Sequence, residues 1–136
     1  MDTAIDYMVK LNTWPLETEY PYTATDGNCK TKIDGSYTIL STKRRSYSTT
    51  ATLKKILDNE GAPSVAVCAS TWSSYKGGVL TACCTSLNHG VQATGVDANG
   101  NWIVRNSWGT RWGEQGYIYL SSGNTCGVAS EINTAE

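Results

Sequence analysis

The sequence predicts an α+β fold with an antiparallel sheet at its centre, and three stretches carry the prediction. Residues 49–60 place Leu53, Ile56 and Leu57 at helical spacing. Residues 64–69, SVAVCA, alternate with the period of a half-buried strand. Residues 89–106 hold two strand-like runs, HGVQATGVDA and NWIVRN, around Asp97-Ala98-Asn99-Gly100, which has the composition of a hairpin turn.

Taken in order, Met1 to Leu11 reads as a short helix with Ala4, Ile5, Met8 and Val9 on one face and no capping residue at its start. Trp14 to Lys30 reads as a loop punctuated by Pro21, Asp26 and Gly27. Lys43, Arg44 and Arg45 are too few to be more than a solvated cluster. In the helix at 49–60, Thr49 or Thr50 supplies the cap and Gly61 the stop. In the next strand Val65, Val67 and Ala69 share one side and Ala66 and Cys68 the other. Cys68 is expected as a buried free thiol filling the core. Beyond the hairpin, residues 116–136 give one more strand and a tail.

Composition narrows the function. A formal net charge of −1 without a basic block offers nothing to nucleic acid or an anionic membrane. No apolar run has membrane-spanning length, and no secretory signal pattern opens the chain. Five Trp and eight Tyr with no Phe fit a core whose aromatic tips need anchoring. Five cysteines suggest an oxidising compartment. No cofactor and no metal are expected.

The hairpin has a chemical use. It brings His89, the one histidine, at the start of its first strand beside Asn106 at the end of its second. An imidazole that exchanges a proton with a nucleophile needs its other nitrogen fixed, and an asparagine oxygen accepts that N–H without adding charge. Trp108 laid over the contact would keep water from it. The competing reading is a structural histidine among packing tryptophans.

Four motifs in order, NHGV at His89, NSWG at Asn106, WGEQGY at Trp112 and CGVAS at Cys126, resemble those of papain-like cysteine peptidases, in particular the cathepsin L-like branch. The resemblance implies a two-lobed papain-like fold. Residues 1–34 would end the helical N-terminal lobe, and residues 35–136 would form the antiparallel, β-barrel-like C-terminal lobe. It implies peptide-bond hydrolysis by a Cys-His-Asn mechanism with His89 and Asn106 catalytic and Trp108 and Trp112 supporting. It also implies a substrate pocket drawing on Met1, Ala66, Leu87, Gly90 and Glu131. Glu131, unless it is a solvated surface carboxylate, would let that pocket accept arginine. WSSYKGGVL, residues 72–80, resembles a surface strand of the family. Cys83 is implied to pair with Cys126, a closure contributing ~3–5 kcal/mol by chain entropy. Cys84 is then an extra, and the partner of Cys29 would lie outside the chain.

No cysteine here stands in the family's nucleophile context. Cys83 and Cys84 follow no helix start that would lower a thiol pKa. The nucleophile is expected roughly 40 or more residues before Met1. The isolated chain is therefore expected to lack peptidase activity. The implied partners are polypeptide substrates, the missing N-terminal part of the same enzyme and cystatin-type inhibitors. The implied location is a lysosome-like vacuole or the extracellular space. The alternatives are a non-catalytic relative acting as a binding or structural module and, last, a disulfide-stapled inhibitor domain.

Overall fold

The computed structural model describes residues 2–30, 33, 35–37 and 44–135. Met1 and Lys43, named above, lie outside the described residues. The chain divides into two compact units, Met1–Arg45 with Ala135–Glu136, and Ser46–Thr134. The lobe boundary expected at 34/35 falls within the first.

In the first unit, helix α1 spans Asp2–Leu11. Asn12 ends it in the left-handed region at φ 54°, its N–H donating to Met8 O at 3.0 Å. The loop that follows returns on itself, Trp14 and Tyr37 exchanging backbone hydrogen bonds of 2.8 and 3.3 Å. The Glu19 carboxylate closes the loop by accepting from Ser36 Oγ, from Leu16 N at 2.7 Å and from Ser36 N at 3.1 Å. These bonds, the Ser36 hydroxyl first, hold its carboxyl below the usual value.

The second unit carries helix α2 and most of a sheet. Helix α2 spans Thr50–Asn59 and is capped by Thr49, whose Oγ1 accepts from Thr52 N at 3.1 Å. Leu53 and Ile56 are buried, and Gly61 at φ +118° takes the chain out of the helix. The strands are β1 Arg44–Tyr47, β2 Ser64–Val67, β3 Val79–Leu80, β4 His89–Val96, β5 Trp102–Arg105, β6 Tyr117–Leu120 and β7 Ile132–Ala135. Their order across the sheet is β1-β7-β2-β4-β5-β6-β3. β2 pairs antiparallel with β4 and β7, and β5 with β4 and β6, while β3 runs parallel to β6.

Alternation fixes the register. Val65, Val67, Val91, Ala93, Val104, Ile118, Leu120 and Ile132 all face a core shared with α2. Burying an aliphatic side chain of this size is worth ~1.5–3 kcal/mol, so a one-residue slip, which turns a whole strand over, is strongly disfavoured. The β4–β5 turn forms as its composition predicts. Asp97 Oδ1 accepts from Asn99 N at 2.8 Å and Asn101 N at 2.9 Å, and Gly100 supplies φ +84°. The Asn101 side chain, first among the Asp97 partners, helps hold that carboxyl below its usual value.

Three expectations need correction. Residues 72–80 are not a continuous surface strand. Trp72–Ser74 form a 3-10 turn that sinks Trp72 into the core, and only Val79–Leu80 pair. The tail beyond β6 contains another strand, β7, whose Ile132 lies opposite Val65. Cys68 is not a free thiol. It is bonded to Cys84, beside the expected Cys83–Cys126 bond. Geometry makes both bonds possible at once. Cys68 N donates to Cys126 O at 2.8 Å, so these two cysteines lie side by side and meet the consecutive Cys83 and Cys84.

Candidate active site

The hairpin sets His89 Nε2 2.8 Å from Asn106 Oδ1. The tautomer follows from a second contact. The backbone N–H of Ser107, which can only donate, points at the same Oδ1 at 2.8 Å. The atom facing the imidazole is thus an acceptor, and Nε2 must carry the hydrogen. Nδ1 of the neutral ring is left to take a proton from a nucleophile. Asn106 is buried, and its Nδ2 has no hydrogen-bond partner among the described residues.

Aromatic rings surround the imidazole. Trp108, 42% exposed, lies over it with centroids 5.1 Å apart and planes 33° from parallel. This tilted stack shields the hydrogen bond from water. Trp72 meets the imidazole at right angles, 88° at 6.2 Å. Trp112 stands one layer back, stacked on Trp72 at 6.0 Å and edge-on to Trp108 at 5.2 Å. Its Nε1–H donates to Trp72 O at 3.0 Å. Trp112 is itself held on its far side by Tyr75, whose ring centroid is 5.5 Å away. The Tyr75 hydroxyl donates to Gly78 O at 2.6 Å. Burial, the largest cause, and the nearby Glu114 carboxylate raise its pKa, against a backbone hydrogen bond from Tyr119.

The segment leading into β4 is pinned by the residue before the histidine. Asn88 N donates to Val67 O at 2.9 Å, its Oδ1 accepts from Ala69 N at 2.9 Å, and its Nδ2 donates to Ser70 Oγ at 2.9 Å. The Cys68–Cys84 bond ties the same two segments a few residues away.

Of the residues expected to line a pocket, Gly90 and Ala66 lie on neighbouring strands, Glu131 just before β7 and Leu87 in the segment leading into β4. Gly90 on β4 lies opposite Ala66 on β2, and Ala66 N donates to Glu131 O at 3.1 Å just before β7. Gly90, Ala66 and Glu131 thus form a row across the sheet. By alternation Gly90 and Ala66 face away from Val65, Val67 and Val91. Leu87 rests on Gly127, where a Cβ would come within 2.6 Å of Leu87 Cδ2. The Glu131 carboxylate, half buried, accepts from Asn133 Nδ2 at 3.4 Å. Cys83 and Cys84 are consumed in disulfides, and Cys29, the free cysteine, is exposed in the other unit. Among the described residues no group of His, Cys, Asp or Glu is arranged to hold a metal ion.

The family model for papain family cysteine proteases matches residues 1–135. The chain belongs to that family. It is 43% identical over 130 residues to cathepsin L 2 of Paramecium tetraurelia, covering 96% of this chain and 40% of that relative. Cysteine proteinase 2 of Entamoeba histolytica is 41% identical over 126 residues, again 40% of the relative's length. The chain therefore spans well under half of these curated relatives. Among solved structures, bromelain protease of Ananas comosus in complex with the E64 inhibitor superposes with a TM-score of 0.83 at 34% identity. The match covers 97% of this chain and 66% of that one. Digestive procathepsin L 3 from the larval midgut of Tenebrio molitor gives 0.86 at 31% identity, covering 99% and 47%. The α+β fold is papain-like, and the cathepsin L relatives agree with the branch that the four motifs suggested.

Sequence reasoning missed three parts of this papain-family site. Trp72 sits in a motif that reads as surface strand, although a Trp followed by Ser-Ser-Tyr and two glycines also suits a turn. Asn88 was absorbed in the NHGV motif. The Cys68–Cys84 bond left no local signal, because adjacent cysteines are indistinguishable until the fold assigns their partners.

Proposed function

We propose that this chain supplies His89 and Asn106 to a cysteine peptidase that hydrolyses peptide bonds by a Cys-His-Asn mechanism, with the thiol carried by sequence outside these 136 residues. The observation that supports it best is the Nε2–H···Oδ1 bond under Trp108, which presents Nδ1 as a base in one tautomer. The cysteine states fit an external thiol, since all four cysteines in the unit of His89 are in disulfides.

Nδ1 takes the thiol proton, giving a thiolate–imidazolium pair. The thiolate attacks the peptide carbonyl carbon, and the imidazolium returns its proton to the departing amine as the C–N bond breaks. Water then attacks the thioester carbonyl, giving a proton to Nδ1, and the carboxylic acid leaves as the thiolate re-forms. Asn106 keeps Nε2 anchored and the tautomer fixed throughout. Substrate side chains would rest on Gly90, Ala66 and Leu87, with Glu131 at the far end of that row. The substrates would be polypeptides. Two disulfides fit an oxidising compartment, a vacuole or the extracellular space. No helix among the described residues is long and apolar enough to cross a membrane.

The test is thiol-dependent peptide cleavage by the protein from the full coding sequence. His89→Ala should lower kcat by roughly 10²–10⁴-fold, the usual share of a positioned acid–base group. The 136-residue chain alone should show no turnover. A full-length His89→Ala enzyme with undiminished kcat would refute the mechanism. A residue other than cysteine at the nucleophile position would favour the non-catalytic relative instead.

A further inference from the structure

We infer that Trp72 is a positioning residue for the His89 imidazole, fixing the ring's plane from the side that Trp108 leaves open. The inference rests on the reading of His89 as the base. Trp72 is fully buried, and it is the one indole perpendicular to both the imidazole, at 88°, and Trp108, at 71°. Perpendicular rings about 6 Å apart attract through their quadrupoles, and the attraction weakens when either ring rotates. A single hydrogen bond to Asn106 leaves the imidazole free to swing about the Nε2···Oδ1 axis. A tilted ring on one side and a perpendicular ring on another remove that freedom.

The frame around Trp72 is built to hold it relative to His89. Trp72 N donates to Ala69 O at 3.0 Å. Ala69 N in turn donates to Oδ1 of Asn88, the residue preceding the histidine, at 2.9 Å. On its other side Trp72 is stacked on Trp112 and receives the Trp112 Nε1–H at its carbonyl. The two rings therefore belong to segments joined by hydrogen bonds one residue from each functional position or close to it. The Trp72 Nε1–H is buried and has no partner among the described residues. An unpaired buried donor is costly, and a phenyl ring would avoid it. What matters for the inference is the aromatic face, which a phenyl ring shares and which lies against both His89 and Trp112.

His89 is the sole histidine, so its ring signals in a long-range ¹H–¹⁵N spectrum of the 136-residue chain need no assignment. The unaltered chain should show one tautomer, protonated at Nε2. Trp72→Leu and Trp72→Met, which lack a ring, should show exchange between tautomers and an Nε2–H that exchanges with water roughly tenfold faster, the loss of ~1.4 kcal/mol. Trp72→Phe should stay within about threefold of the unaltered chain. Backbone amide spectra establish which variants fold, and the methionine variant, whose unbranched chain adapts to an irregular gap, serves where leucine does not. A single slowly exchanging tautomer in a folded ringless variant overturns the inference, as does a phenylalanine variant that behaves like the ringless ones. In the full-length enzyme the same ringless variants should lose kcat with KM unchanged. Absence of any turnover in the unaltered enzyme would refute the proposed function while leaving the spectroscopic outcome to decide the role of Trp72.

Discussion

Removing the Cys68–Cys84 bond should destabilise the second unit by an amount the structure sets. The bond joins residues 16 apart, and the chain-entropy relation gives about 3 kcal/mol for a loop of that length. The neighbouring Cys83–Cys126 bond, across 43 residues, gives about 4 kcal/mol by the same relation. The clean perturbation is Cys68→Ala with Cys84→Ser. Cys68 is 1% exposed, and a serine there would bury an unpaired hydroxyl and inflate the loss. The assay is equilibrium urea unfolding without reductant. With a slope of ~1–3 kcal/mol per molar urea, the midpoint should fall by roughly 1–3 M. Titration of the denatured, unreduced chain should find one thiol, Cys29, before the substitution and one after it. An unchanged midpoint, or three reactive thiols in the unaltered chain, would refute the pairing and the clamp on the segment before His89.

Gly113→Ala should cost about 2–4 kcal/mol, because φ is +55° and the new Cβ would lie 2.5 Å from Tyr117 O. Gly100→Ala, at φ +84° with nothing within 4 Å, should cost about 1 kcal/mol, and equal losses in thermal unfolding would count against the steric argument. In the full-length enzyme, Glu131→Ala should reduce acceptance of arginine relative to leucine at the second residue before the scissile bond. An unchanged ratio in peptide profiling would remove Glu131 from the pocket.

What could be read from the residues was what their neighbours in sequence decide. Thr49, Leu53, Ile56 and Gly61 announce α2 because capping, periodicity and stop are all local. Asp97 and Gly100 announce the turn, and the turn dictates that His89 meets Asn106. Residues 132–135 did not read as a strand because Asn133 and Thr134 hide the alternation around Ile132. Asn133 is nonetheless almost fully buried, which only its place in the sheet could impose. Trp72 was misplaced for a similar reason. A tryptophan in a polar stretch gives no hint that a turn will carry it under the histidine. The second disulfide depended on Cys68 and Cys126 lying abreast, a contact between residues 58 positions apart in the sequence.

The position of β7 has a consequence for how the molecule is made. It lies between β1 and β2, yet it is the last strand to leave the ribosome among those described. Until residues 132–135 emerge, the outer edge of β2 has no partner, and Val65 lacks the Ile132 neighbour that covers it. A nascent chain paused before that point would present an open, aliphatic strand edge, the kind of surface that recruits chaperones or pairs with another copy. Completion of this sheet therefore waits for residues 132–135, and deleting those few residues should trap the protein in an adhesive, unfinished state.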